Sequence, residues 1–263
     1  MALRVACRVG SVELVNELLA CEANPNEPDI LGWTAFYGAC FEGHTEVVEL
    51  LLNDKRININ KAETSLGQTP FNVACRNGHI ETVKLLLNDK RVNINEENYQ
   101  SSTPFLVACQ NDHIGIVKLL LKDQRIDVNK SNIFGQSPFY QACEKGRRDI
   151  VKLLLSDKRI DINKASGGIT PLMVSCFWGN LEIVRYILAS GRGVDLNARD
   201  DDEKTAIDIT RESGEEFKSR EKNCEIIIEL LESFQQNQNE TISRLRIQLG
   251  LAGKKKKQKL IPF

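Results

Sequence analysis

Cysteine can bind metal or form disulfides, and most of the cysteines in this chain follow one spacing. Six of the eight recur at intervals of 33 to 35 residues: Cys7, Cys40, Cys75, Cys109, Cys143 and Cys176. If these positions stack, neighbouring thiols lie one helix packing distance apart, about 8–10 Å. A disulfide needs Cα atoms within about 4.4–6.8 Å, and zinc ligands share one ion at about 2 Å. We therefore expect reduced, buried cysteines, with no disulfide, metal site or cofactor. Cys21 and Cys224 lie outside this spacing, and either could be a reactive surface thiol.

The histidines follow the same spacing, because His44, His79 and His113 occupy one repeat position. The distance argument that excludes a cysteine cluster also excludes a shared zinc ion. We expect each histidine to order its own turn through a hydrogen bond. The chain contains no Gly-rich phosphate loop, no His-Glu-x-x-His and no Gly-x-Ser-x-Gly motif. The sequence therefore predicts a protein that is not an enzyme.

A common sequence motif surrounds each cysteine and predicts two short antiparallel helices. In one copy, Thr69-Pro70-Phe71 leads to Ala74-Cys75 and then to Gly78. Threonine before proline is typical of an N-cap and first helical residue, and the glycine suits a left-handed residue that ends the helix. Between the units, alternating segments such as 57–60 predict an extended, hairpin-like finger. Several such pairs must stack to bury their apolar faces.

These motifs resemble the ankyrin repeat, Thr-Pro-Leu-His-x-Ala-Ala-x-x-Gly-His-x-Glu-Val-Val-x-Leu-Leu-Leu, almost throughout residues 1–234. The resemblance implies an all-α ankyrin-repeat solenoid of about seven repeats, including degenerate caps. The expected units are 1–28, 29–63, 64–98, 99–132, 133–165, 166–201 and 202–234, followed by a tail over 235–263. One repeat has Ser101 and Asp112 in place of the turn glycines, so its turns are expected to be strained or rearranged.

The resemblance also implies a binding surface, because first helices and fingers line a concave side in ankyrin stacks. The predicted contact residues are Trp33, Phe41, Glu42, Arg76, Asn77, Gln110, Asn111, Glu144, Lys145, Phe177 and Trp178. Exposed aromatic and arginine side chains dominate many interfaces, and the finger residues Tyr99 and Phe134 could extend the patch. The alternative is that these rings pack against neighbouring fingers as part of the core.

The tail departs from the repeat. Residues 235–239 are polar and linker-like, and the apolar residues over 242–251 fit a helix and a strand equally well. Five lysines follow: Lys254, Lys255, Lys256, Lys257 and Lys259. They could form a nuclear-localisation patch, contact nucleic acid or an anionic membrane, or only solubilise a disordered terminus. The formal net charge is −1, so the body preceding this basic patch is mildly acidic.

The sequence therefore predicts an adaptor that binds a protein partner of unknown identity through the concave face. The alternative is a nuclear or nucleic-acid-associated regulator that uses the lysine tail. No signal peptide or stretch of about 20 apolar residues is visible. We expect a monomer in the cytoplasm, with the nucleus as the alternative location.

Overall fold

The computed structural model describes residues 1–251, which contain fifteen α-helices. Contacts divide the chain into two compact units, Met1–Gly167 and Gly168–Phe263, and each is described by itself below. The first is called the N-terminal unit and the second the C-terminal unit. The helical content agrees with the predicted all-α class.

The N-terminal unit consists of five helical pairs. Its helices are α1 (Ala2–Val9), α2 (Val12–Ala20), α3 (Ala35–Glu42), α4 (Thr45–Asn53), α5 (Pro70–Asn77), α6 (Ile80–Asn88), α7 (Pro104–Gln110), α8 (Ile114–Leu121), α9 (Pro138–Glu144) and α10 (Arg148–Leu155). The first helices of successive pairs pack on one another from α1 to α9, and the second helices from α2 to α10. Each pair thus buries the apolar faces that it could not bury alone.

The first helix of each later pair begins at the predicted cap. The hydroxyls of Thr34, Thr69, Thr103 and Ser137 accept hydrogen bonds from the backbone N–H three residues on, at 3.1–3.2 Å. Proline follows three of these caps as the first helical residue, where its missing donor costs nothing.

The three aligned histidines connect neighbouring repeats, which differs from the expectation that each orders its own turn. The Nε2 atom of His79 donates to the carbonyl of Phe41, 2.8 Å away in the preceding repeat. His44 and His113 make the same bond to Arg8 and Arg76, at 2.9 and 2.7 Å. The histidine column therefore joins these three repeats to the C-terminal end of the first helix of the repeat before.

The repeat that lacks turn glycines keeps the turn conformation of its neighbours. Ser101 and Asp112 have φ values of 53° and 63°, in the left-handed region that disfavours side chains. The turns are therefore strained rather than rearranged. Gly43 and Gly78 take the same region at 80° and 85° without that cost.

The connectors form the predicted hairpin-like fingers, and asparagines link them. The amide of Asn95 donates to the carbonyl of Arg125 at 2.7 Å, while its oxygen accepts from the N–H of Asp127 at 3.0 Å. Asn26, Asn60 and Asn129 make equivalent pairs of bonds to the next connector. This asparagine ladder supplies four links of identical geometry between consecutive connectors of the N-terminal unit.

The six regularly spaced cysteines are buried in the core, and all eight, which lie within residues 1–251, are outside any disulfide. Burial raises the pKa of Cys7 to about 12 and of Cys176 to about 12, so these thiols are protonated at neutral pH. Cys21 is exposed, as a surface thiol would be. Cys224 is only 2% exposed, and burial raises its pKa. The interpretation of Cys224 as a surface thiol was therefore wrong, because the helix over Glu221–Gln236 turns that side chain towards the core.

The described part of the C-terminal unit, residues 168–251, contains five helices: α11 (Pro171–Phe177), α12 (Leu181–Ser190), α13 (Ala206–Glu216), α14 (Glu221–Gln236) and α15 (Gln238–Gln248). α11 packs on α13, and α14 packs on α12 and α13. The segment for which helix and strand were both open forms α15, which buries Leu245 completely. The Arg246 guanidinium donates to the carbonyls of Ala189 and Ser190, at 2.9 and 3.0 Å, and so fixes α15 to the end of α12.

Candidate functional site

Apart from Trp33, which precedes α3, the predicted contact residues of the N-terminal unit lie at the C-terminal ends of α3, α5, α7 and α9. Phe41, Gln110 and Glu144 are half-buried. The others are exposed: Glu42, Arg76, Asn77, Asn111 and Lys145. The repeat therefore brings residues of similar position together along one row of helix ends.

A recess of about 200 Å³ lies where this row meets the fingers. We call it the finger–helix recess. Its lining comprises Leu66, Gln68, Arg76, Asn98, Gln100, Ser102, Val107, Gln110 and Asn111. Three of these residues were predicted from the sequence as contacts, and five of the nine carry side-chain amides. No carboxylate lines the recess, although acidic residues are common in the chain.

Arg76 is the charged group of the recess. One of its guanidinium nitrogens donates to the side-chain oxygen of Gln68 at 3.1 Å, and its backbone carbonyl is held by His113. Within residues 1–251 no ion pair involves Arg76, whereas Arg8, Lys145 and Arg147 each lie within 4 Å of a carboxylate. The recess therefore has one cation that no carboxylate of residues 1–251 approaches within 4 Å.

Apolar side chains are exposed at the tips of the fingers beside this recess. We call this set the finger-tip row: Ile30, Leu31, Leu66, Tyr99, Ile133 and Phe134. Tyr99 is 67% exposed and Phe134 is 64% exposed. Leu66 belongs both to the row and to the recess. The sequence prediction included Tyr99 and Phe134 but missed the aliphatic members of the row. Those residues could have been found from the sequence, because apolar residues recur just before the turn of each finger.

Neighbouring fingers contact each other directly, which gives the row a fixed arrangement. The N–H of Tyr99 donates to the carbonyl of Leu66 at 2.8 Å, and the Tyr99 ring lies against Gly67. The N–H of Ile133 donates to the carbonyl of Gln100 at 3.0 Å. Because backbone bonds set the finger positions, the apolar tips are held ready before any partner binds.

Trp33 and Phe41 form an aromatic cluster with Tyr37. The ring centroid of Trp33 lies 5.0 Å from that of Tyr37 and 4.7 Å from that of Phe41. The Arg8 guanidinium lies 5.4 Å from the Trp33 ring and is also 3.6 Å from Glu42. Trp33 and Phe41 are consequently half-buried. Much of their surface is used inside the N-terminal unit, as the core alternative described.

Phe177 and Trp178 belong to the C-terminal unit and are also partly covered. The Arg220 guanidinium lies 5.6 Å from the Phe177 ring, 4.6 Å from the Trp178 ring and 4.3 Å from the Phe217 ring. Arg220 and Ser213 both donate to the carbonyl of Phe177, at 3.0 and 2.6 Å. Phe177 is half-buried, while Trp178 remains 43% exposed. The turn between α13 and α14 places Phe217 and Arg220 here.

The lysines of the tail, Lys254 to Lys257 and Lys259, lie outside the described residues, so their predicted roles stay predictions. So do the predicted location and oligomeric state. Between residues 1 and 251, no group of three or more His, Cys, Asp or Glu side chains is arranged to hold a metal ion. None of the helices in this part of the chain is long and apolar enough to cross a membrane.

Comparison with known proteins agrees with the repeat structure. A family model for ankyrin repeats in three copies matches residues 3–98, 57–132 and 105–200. The human ASB11 ankyrin repeat domain superposes with a TM-score of 0.70 at 23% identity, covering 81% of this chain and 96% of that one. The ankyrin repeat domain of Bcl-3 gives 0.71 at 23% identity, covering 80% and 93%. No curated protein sequence matches this chain. At 23% sequence identity, the similarity to these two structures shows a shared fold.

Proposed function

Since the chain belongs to the ankyrin-repeat family, whose repeats generally mediate protein–protein interaction, we propose that it is a non-catalytic adaptor. It binds a protein partner through the finger-tip row and the finger–helix recess of the N-terminal unit. The row is the observation that carries this proposal, because exposed apolar side chains recur on four consecutive fingers. Isolated exposed apolar residues are ordinary on protein surfaces, but such a series next to a polar recess is typical of an interaction surface.

The finger-tip row and the finger–helix recess contain the residue types that contribute most to binding energy at protein interfaces. Burying one large apolar side chain contributes about 1.5–3 kcal/mol, and aromatic and arginine residues contribute most to measured interfaces. Tyr99, Phe134 and Arg76 supply these residue types here. Because the fingers are already fixed by backbone hydrogen bonds, little conformational entropy is lost when a partner covers them.

The non-catalytic part of the proposal has a chemical basis. Burial raises the pKa of four thiols, Cys7, Cys75, Cys109 and Cys176, so they are protonated at neutral pH. The histidines bond to backbone carbonyls. Neither set is positioned as a nucleophile beside a base. The accessible polar side chains of the recess are amides and one arginine, which suit recognition.

The test is affinity purification of partners from cells with the wild type and two triple variants. The first variant, Leu66→Ser with Tyr99→Ser and Phe134→Ser, removes three apolar tips of the row. The control, Val5→Ser with Val9→Ser and Ile247→Ser, removes three exposed apolar side chains elsewhere. We expect the wild type and the control to retrieve the same partners, and the row variant to lose them by at least about tenfold. Equal recovery by all three folded proteins would contradict the proposed surface.

A further inference from the structure

We propose that the finger–helix recess binds an extended segment of the partner that carries an acidic residue, with its carboxylate against Arg76. Apolar residues of the same segment, three positions apart, contact the finger-tip row. This inference rests on the proposed function and names the chemistry of the partner at that same surface.

The charge of the recess points to an acidic ligand. Arg76 makes one side-chain hydrogen bond, to Gln68, which leaves most of the five guanidinium donors available. No carboxylate lines the recess, and the backbone of Arg76 is held in place by His113. A guanidinium recognises a carboxylate through two parallel hydrogen bonds. An aspartate or glutamate of the partner would supply a carboxylate in direct contact with the guanidinium, which residues 1–251 do not provide.

The amides of the recess suit a peptide backbone. The side chains of Gln100 and Gln110 make no hydrogen bond to the described part of the chain, although their backbone carbonyls accept from Ile133 and Arg147. A side-chain amide both donates and accepts, so it can pair with the N–H and C=O groups of one peptide unit. An extended segment has these groups free, whereas a helix has already paired them internally.

The dimensions also favour an extended segment over a helix. A helix with its side chains is about 10–12 Å in diameter, whereas the recess of about 200 Å³ has room for single side chains. Neighbouring fingers are separated by about one helix packing distance, near 10 Å. An extended segment in the polyproline II conformation rises about 3.1 Å per residue and has three residues per turn. Three residues therefore span about one finger, and side chains three apart lie on the same face. Apolar residues at this spacing would meet Leu66, Tyr99 and Phe134 in turn.

The first experiment selects binders to the full chain from a displayed pool of random-sequence linear peptides. We expect the selected peptides to share an acidic residue and apolar residues at three-residue spacing. The consensus peptide is then synthesised with a fluorophore, and its affinity is measured by anisotropy. Arg76→Gln should weaken binding by about tenfold, the value of one hydrogen-bonded charge pair. The control Lys118→Gln, which neutralises an exposed lysine on α8, should leave the affinity unchanged.

A double-mutant cycle assigns the contact. A peptide in which the acidic residue is replaced by its amide should bind the wild type about tenfold more weakly, and it should be insensitive to Arg76→Gln. Peptides without an acidic residue, a seven-residue helical spacing, equal binding to the Arg76→Gln protein, or no selected peptide at all would each overturn the inference. The proposed function is judged separately, because partner recovery with the finger-tip row variant does not depend on any peptide.

Discussion

The imidazole ring of His79 lies directly against Gly43 of the preceding repeat, so that a Cβ at Gly43 would collide with the ring. The same ring donates to the Phe41 carbonyl. Gly43 is therefore required twice, once by its φ of 80° and once by the approach of His79. Gly10 with His44 and Gly78 with His113 show the same relationship.

This relationship predicts that two glycine substitutions lower the free energy of unfolding by different amounts. Gly193→Ala introduces a Cβ into open space at a φ of 69°, so it should cost only the left-handed conformation, about 1–2 kcal/mol. Gly43→Ala adds the collision with the His79 ring and should cost at least about 1 kcal/mol more. Urea denaturation of both variants measures the difference. Equal losses would show that the ring moves aside freely.

At the equivalent turn that contains Asp112, we expect a substitution to raise the free energy of unfolding rather than lower it. Its φ of 63° is unfavourable for a side chain, and the next repeat has Arg147 in place of histidine, so no ring closes over the position. Asp112→Gly should relieve about 1–2 kcal/mol of backbone strain. It also removes an exposed ion pair with Arg147 at 3.8 Å, which is worth about 0–1 kcal/mol. We expect a net gain in the free energy of unfolding in urea. A loss would mean that the pair outweighs the strain.

Glu63 should make stability depend on pH in the acid range. Its carboxylate, 2% exposed, accepts bonds from the N–H groups of Ser65, Leu66 and Gln68 and from the Ser65 hydroxyl. Burial acts to raise the pKa of Glu63, but these hydrogen bonds outweigh it and lower the pKa below its ordinary value of 4.5. The Glu63 carboxylate thus makes its full contribution to the free energy of unfolding above the unfolded-state pKa. That contribution disappears as the pH falls through the lower folded-state pKa.

Glu63→Gln tests this contribution. At pH 7 the variant should lose about 1.5–3 kcal/mol, the value of hydrogen bonds to a charged group. The difference from the wild type should shrink as the pH falls below about 4.5, where the wild-type carboxylate becomes protonated. Urea denaturation at a series of pH values provides the measurement. A difference that stays constant down to acid pH would show that the charge of Glu63 is not responsible.

The asparagine ladder should couple neighbouring repeats. Asn95→Ala removes two bonds to the following connector, at 2.7 and 3.0 Å, and should cost about 1–2 kcal/mol. Asn88→Ala, at the exposed end of α6, serves as the control because no side-chain bond of Asn88 to the described residues is present. Amide hydrogen exchange should speed up at Asp127 in the first variant and not in the second. Unchanged exchange at Asp127 in both would contradict the coupling.

The repeated sequence motif was sufficient to predict most of the fold, because each of its residues determines the backbone structure of its close neighbours along the chain. Thr69 caps its own helix, Pro70 opens it and Gly78 ends it, and these local preferences point to the same structure in every copy. The burial of the cysteine column followed from the period alone. Even the strain at Ser101 and Asp112 could be predicted, since the left-handed conformation disfavours any side chain.

The sequence by itself determined the repeat, its helices and the type of residue at each helix end, because these depend on neighbours along the chain. Only the tertiary structure decided which of those residues remain accessible. Arg8 covers part of Trp33, and Arg220 with Phe217 covers part of Phe177, whereas no carboxylate of residues 1–251 lies within 4 Å of the Arg76 guanidinium. Solvent exposure and charge compensation depend on groups 25 to 43 residues away, whose approach is set by packing and is not visible in local spacing.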